Sequence, residues 1–232
     1  MRRIISSLLL LGLVAGLATG AQAQWAPVGV TLRRLAGGTA ALPAAALHHW
    51  RATLLFAVST GALIAWGDAP ASGRIQSPSL ELSSNTWSTR GLLYIEPAVV
   101  ITATAIESRC LFCPAMGHMA LVTLSAEAYA TASVQAVKFA ARRERPGTLS
   151  DADGGFNESG SSFPSGHADG AFTMASVLAH QYPDSTWADW AAYTVAGGVT
   201  AARFTAKEHF PSDLLVGSML GFLTGRCALQ CR

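Results

Sequence analysis

The stretch TWADWAAYTVAGGVTAARFTAKEHFPSDLLVGSMLGFLTG, residues 186–225, decides how this chain folds. It is two long Ala-, Val-, Leu- and Gly-rich runs separated by a short polar segment ending at Pro211. Thr186 followed by Asp189 fits a capping box, and Pro211 fits a first helical position. These signals predict one helix from Thr186 to Ala206 and another from Pro211 to Gly225. Working outward, strand-like alternation is scarce, and similar start and stop signals predict helices over 44–66, 86–107, 118–145 and 166–181. Pro146 is expected to stop the third of these at Arg145. The chain therefore reads as all-α, with a six-helix core.

Composition narrows the function classes. Half of the 232 residues are hydrophobic and 13% are charged, which excludes disorder and suits one domain over residues 24–232. Lys and Arg total 16 against 14 Asp and Glu; without Arg2 and Arg3 the balance is 14 against 14. No clustered basic face of the kind nucleic acid requires is evident, so nucleic acid is not an expected partner.

Residues 1–23 read as a secretory signal, with Arg2 and Arg3 ahead of an apolar run from Ile4 to Ala18 and a small-x-small site at Ala21-Gln22-Ala23. The expected product is exported, periplasmic or membrane-associated, and begins at Gln24. The charge-free runs 52–67 and 110–126 fall just short of a membrane span; they suit buried bundle helices or short tilted membrane helices. Cys110, Cys113, Cys227 and Cys231 are disulfide candidates in an exported chain, where one or two bridges would tie the tail to an inter-helix loop. Zinc is the alternative.

Three motifs carry chemistry. In Lys138-Phe-Ala-Ala-Arg-Arg-Glu-Arg145-Pro146, a continuous helix would set Lys138 and Arg145 two turns apart on one face, about 10 Å along the axis, fit to clasp an anion. Pro164-Ser165-Gly166-His167 stands where a polar loop enters a helix. Free N–H groups there, a Gly166 without Cβ and the Ser165 hydroxyl form an anion cradle beside His167. In the third, Arg203 precedes His209 by six residues, and Asp213 in the first turn after Pro211 is placed to reach back to the imidazole. A calcium loop at Asp151-Ala152-Asp153-Gly154 is excluded, since the glycine comes too early and later ligands are missing. His48, His49, His118 and His180 lack such company and read as structural or surface histidines.

Together these motifs resemble the type 2 phosphatidic acid phosphatase superfamily, which includes bacterial class A acid phosphatases, membrane lipid phosphatases and vanadium haloperoxidases. Its pattern K-x6-RP, PSGH and SR-x5-H-x3-D is met by Lys138, Arg145 and Pro146, by Pro164 to His167, and by Arg203, His209 and Asp213. Ala202 departs from it, standing where the family has serine. The resemblance implies a metal-independent phosphatase in which Lys138, Arg145, Ser165, Gly166 and Arg203 bind phosphate, His209 attacks phosphorus with Asp213 behind it, and His167 protonates the leaving group. The implied substrate is a phosphorylated lipid or small phosphomonoester, and vanadate is expected to inhibit. A vanadate-dependent haloperoxidase and a non-catalytic phosphate-binding helical protein are the alternatives. Two unperturbed imidazoles would place activity at neutral or mildly acidic pH.

Overall fold

A computed structural model describes residues 26–75, 77–110, 112–146 and 154–230. The expected leader, Asp151, Asp153 and Cys231 lie outside the described residues. Seven helical runs occur among those described: α1 (Ala26–His48), α2 (Trp50–Gly73), α3 (Pro78–Ser108), α4 (Pro114–Ala141), α5 (Gly166–Gln181), α6 (Thr186–Thr205) and α7 (Pro211–Gln230). No strand is found among them.

Local chemistry explains most helix ends and corrects four expected ones. The helix expected over 44–66 is two helices, because His49 leaves helical geometry at φ −101°, ψ 37°. α3 starts at Pro78, where the Ser77 hydroxyl accepts the Leu80 N–H at 3.4 Å, well before the expected residue 86. α6 opens at Thr186 as expected, but Ser185 is its N-cap and no side chain caps it, so the expected capping box is absent. The most consequential correction concerns α4. It ends at Ala141, where Arg142 turns left-handed at φ 48°, and not at the residue before Pro146.

At the centre lies α5, with Ala168, Ala171, Ala175, Val177 and Leu178 wholly buried. It packs most extensively on α7 and also on α4 and α6, while α1 covers α4 and α7. The α5–α7 contact is close because Gly217, Gly221 and Gly225 form a stripe at every fourth position of α7. A Cβ on Gly217, Gly221 or Gly225 would collide with the Ser165, Asp169 or Thr173 carbonyl oxygen, respectively. This approach places the start of α5 against the start of α7, where two of the three motifs lie.

By length and composition, α2 and α3 could each cross a membrane. Trp50, Leu55 and Trp66 on α2 are 55%, 68% and 79% exposed, so little of its apolar surface is covered by the bundle.

The cysteines do not form the expected tie between tail and loop. Cys110 and Cys113 are free thiols. Cys227 is disulfide-bonded, and its sulfur lies 3.3 Å from the Arg34 carbonyl oxygen on α1. Among the described residues no group of three His, Cys, Asp or Glu side chains is arranged around a metal, so the zinc alternative finds no third ligand for Cys110 and Cys113 there.

The glycine stripe yields a contrast. Gly221→Ala should lower stability by about 3 kcal/mol, whereas Gly197→Ala, with nothing within 4 Å of the added Cβ, should raise it by about 0.5–1 kcal/mol. Denaturant melts check this; equal midpoints for the two variants would contradict the close approach.

Candidate active site

Four helix ends converge: the last turns of α4 and α6 and the first turns of α5 and α7. After Arg142 turns, Arg143 plunges inward and is 1% exposed. Its guanidinium donates to Asp213 Oδ1 at 2.7 Å, Ser212 Oγ at 2.7 Å, Asp68 Oδ2 at 2.8 Å and the Gly154 carbonyl at 3.1 Å. Phe210 and Phe156 lie against the cation, with ring centroids at 4.2 and 4.8 Å. Lys138 is therefore the last motif residue still on α4. Lys138 and Arg145 do not share a helix face, as the sequence suggested, and Arg145 bears on Lys138 from beyond the break at Arg142.

The predicted histidine–carboxylate pair forms, with a third member. His209 and Asp213 are buried, with Nδ1 and Oδ2 3.7 Å apart. That is too long for a firm hydrogen bond. Asp213 Oδ2 instead accepts from Ser162 Oγ at 2.5 Å and the Phe210 N–H at 2.9 Å, and the Ser162 oxygen lies 3.4 Å from His209 Nδ1. Ser162 also links this pair to Lys138, whose ammonium donates to the Ser162 carbonyl at 3.3 Å and to the Ser161 carbonyl.

Above the pair lies the cationic mouth. Arg203 on α6 is 4% exposed. It donates to Asn85 Oδ1 at 2.6 Å, has Ser88 Oγ at 3.4 Å and pairs with Glu208 at 3.1 Å. Arg145 pairs with the same Glu208 oxygen. Asn85 and Ser88 of α3 thus anchor the guanidinium, and a hydroxyl at position 202 is not needed to hold it. The Arg203 Nε is buried with no acceptor among the described residues, a donor left over for a ligand. Ser165 caps α5, its hydroxyl accepting the Ala168 N–H at 3.4 Å, and its own N–H is taken by the Asp213 carbonyl at 3.0 Å. The Gly166 and His167 N–H groups, ahead of Ala168, are first-turn donors that the helix itself does not use. A Cβ at Gly166 would meet only Val134, at an ordinary 3.7 Å, so packing alone does not demand glycine there.

Electrostatics shows how tightly these groups converge. Burial, then the charges of Arg203, His209, Arg145 and Lys138, pulls His167 down to about 3. Burial pulls His209 to about 4, against the opposing pull of Asp213. Burial and the neighbouring Arg145 lower Lys138 to about 8. Burial would raise Asp213, but His209, Arg143 and Ser162 outweigh it and hold the carboxyl below its usual range. The expectation of two imidazoles near 6.5 is thereby corrected: both are neutral at neutral pH, because added positive charge there is desolvated and meets other cations.

The PAP2 superfamily profile matches residues 117–232, half of the chain. The chain belongs to the PAP2 superfamily. A lipid A 1-phosphatase of Porphyromonas gingivalis is 38% identical over 65 residues, which span 28% of this chain and 15% of that relative. The crystal structure of the first transmembrane PAP2 type phosphatidylglycerolphosphate phosphatase from Bacillus subtilis aligns over 87% of this chain and 92% of its own, at 19% identity and a TM-score of 0.49. In this PAP2 chain, Lys138, Arg145, Ser165, Gly166, His167, Arg203, His209 and Asp213 all lie inside the matched region, whereas Asp68, Asn85 and Ser88 lie outside it.

Sequence reading missed Arg143, Ser162, Glu208, Asp68 and Asn85. One signal was present for Asp68: apart from Arg51 it is the only charge in the 24 residues of α2, and an ionisable group in so apolar a run marks a function.

The depressed imidazole gives a prediction with a definite sign. A bound phosphate dianion offsets the surrounding cations, so inorganic phosphate should raise the His167 pKa from about 3 by roughly two units or more. Titration of the His167 15N resonances with and without phosphate checks this; an unmoved value would contradict an anion beside that ring.

Proposed function

We propose that this PAP2 chain is a phosphatase that hydrolyses phosphomonoesters through a phosphohistidine on His209, with cationic side chains in place of a metal. The observation that carries this reading is the cationic mouth itself. Lys138, Arg145 and Arg203 all press on His167, and Glu208 pairs with the two arginines but not with the lysine. Such an excess of positive charge in a desolvated space is unfavourable until an anion enters, and it is matched to a phosphoryl group whose charge spreads over three equatorial oxygens in the transition state.

The chemistry follows from which His209 nitrogen faces which neighbour. Nδ1 faces Ser162 and Asp213, so with its proton held there, Nε2 carries the lone pair. Nε2 forms the N–P bond as the P–O bond to the leaving group breaks, and Asp213 stabilises the ring as it turns cationic. His167, protonated once the dianion has raised its pKa, gives its proton to the departing oxygen. A water then gives a proton back to His167, attacks phosphorus and releases phosphate, restoring neutral His209.

A lipid-linked phosphate is the substrate class this surface supports. The two long apolar helices and their exposed Trp50, Leu55 and Trp66 suit a bilayer at the margin of the bundle. The apolar leader at residues 1–23 supports export, with the site acting at the far side of the membrane it crosses. The matched relative is itself named for a lipid phosphate.

Purified protein should release phosphate from phosphatidate and from p-nitrophenyl phosphate in the presence of EDTA, with vanadate as inhibitor. His209→Ala should lower kcat by about a thousandfold or more. Turnover lost to EDTA and restored by a divalent cation would contradict the metal-free reading, and full turnover by His209→Ala would contradict the nucleophile.

A further inference from the structure

We infer that Asp68, on α2 and outside the region the superfamily profile matches, is a positioning residue for the His209–Asp213 pair. The inference rests on the hydrolytic reading above and adds a residue to it. Asp68 is 2% exposed and stands near the end of a helix whose other charge is Arg51, at its start. A carboxylate that deep must be neutralised where it lies. It is: Oδ2 accepts from Arg143 Nη2 at 2.8 Å and from the Ser212 hydroxyl, while Oδ1 accepts the Ser212 N–H at 3.0 Å.

Two consequences follow from this geometry. The Ser212 N–H belongs to the first turn of α7, where backbone donors lack partners within the helix, so Asp68 caps α7 from another helix. The same turn carries Asp213 and follows His209 by two residues, so fixing it fixes both. Secondly, Arg143 is shared: its Nη2 meets Asp68 at 2.8 Å and its Nη1 meets Asp213 at 2.7 Å. With Asp68 taking part of that charge, Asp213 keeps enough negative charge to hold the Nδ1 proton of His209. Without Asp68, the whole guanidinium charge would fall on Asp213 and draw it from the imidazole.

A strut that merely holds the helices together would alter stability alone; a positioning residue alters the histidine. For Asp68→Asn in the full chain, kcat on p-nitrophenyl phosphate should fall about 10- to 100-fold. Inhibition by inorganic phosphate should change less than about threefold, since Lys138, Arg145 and Arg203 are untouched. Adding Arg143→Gln to Asp68→Asn removes the excess cation and should recover activity relative to Asp68→Asn alone. A double variant slower than either single one overturns the inference. If Asp68→Asn does not fold, Ser212→Ala, which keeps every charge, should show a smaller loss of kcat with the same unchanged phosphate inhibition; a full kcat there overturns it. The His209 15N spectrum reads the same claim without turnover. Wild type should show the proton on Nδ1, and the variant a mixture of tautomers; identical spectra refute the role of Asp68 even if the wild-type chain hydrolyses nothing. Wild-type inactivity with shifted spectra would instead refute the hydrolytic reading and leave Asp68 as the residue that orients His209.

Discussion

A guanidinium removed from water must be neutralised on the spot, and the arrangement of this site follows from where Arg143 is neutralised. It is almost fully buried, and its partners come from α2, from the loop before α5 and from the start of α7. Removing one partner from a buried pair of this kind costs about 3–5 kcal/mol, so the three segments are held as a unit. The end of α4 at Ala141, the return of Arg145 to the mouth and the location of Asp213 all depend on that one inward-pointing side chain.

The mouth works on the opposite principle. Behind it, charges are matched; in it, Lys138, Arg145, Arg203 and two histidines converge, and Glu208 pairs with the two arginines alone. Burial itself disfavours a positive charge there, and the neighbouring cations add to it, so His167 and His209 are held neutral and Lys138 is brought down to about 8. A phosphoryl group relieves that repulsion, and its binding and the protonation of His167 are therefore one coupled event. Glu208, paired with both arginines, stands as the internal carboxylate that such a ligand must displace or accommodate.

How much of this was legible in the sequence depended on distance along the chain. The starts of α5 and α7 were readable because Pro164-Ser165-Gly166-His167 and Pro211-Ser212-Asp213 announce themselves within one turn. Lys138 and Arg145 were paired along one helix face, but the helix assumed between them breaks at Arg142, and Arg145 bears on Lys138 across that break. The supporting partners were not readable. Asp68 reaches Arg143 across 75 positions, and Asn85 reaches Arg203 across 118, and no local periodicity carries such pairings. Ser162 lay in a polar loop whose many serines looked alike. Ala202 stands where the family has serine, and α3, a helix the motif does not include, holds the Arg203 guanidinium with Asn85 and Ser88.

The central claim is that His209 becomes covalently phosphorylated inside a ring of cations. It is tested most directly by mixing the protein with a 32P-labelled phosphomonoester, quenching in alkali within the first turnover and mapping the label on peptides. The account predicts a base-stable, acid-labile phosphohistidine on the peptide that carries His209, forming and decaying as fast as product appears. Phosphate release with no label at that peptide, or with the label on Ser165 or His167, would contradict it.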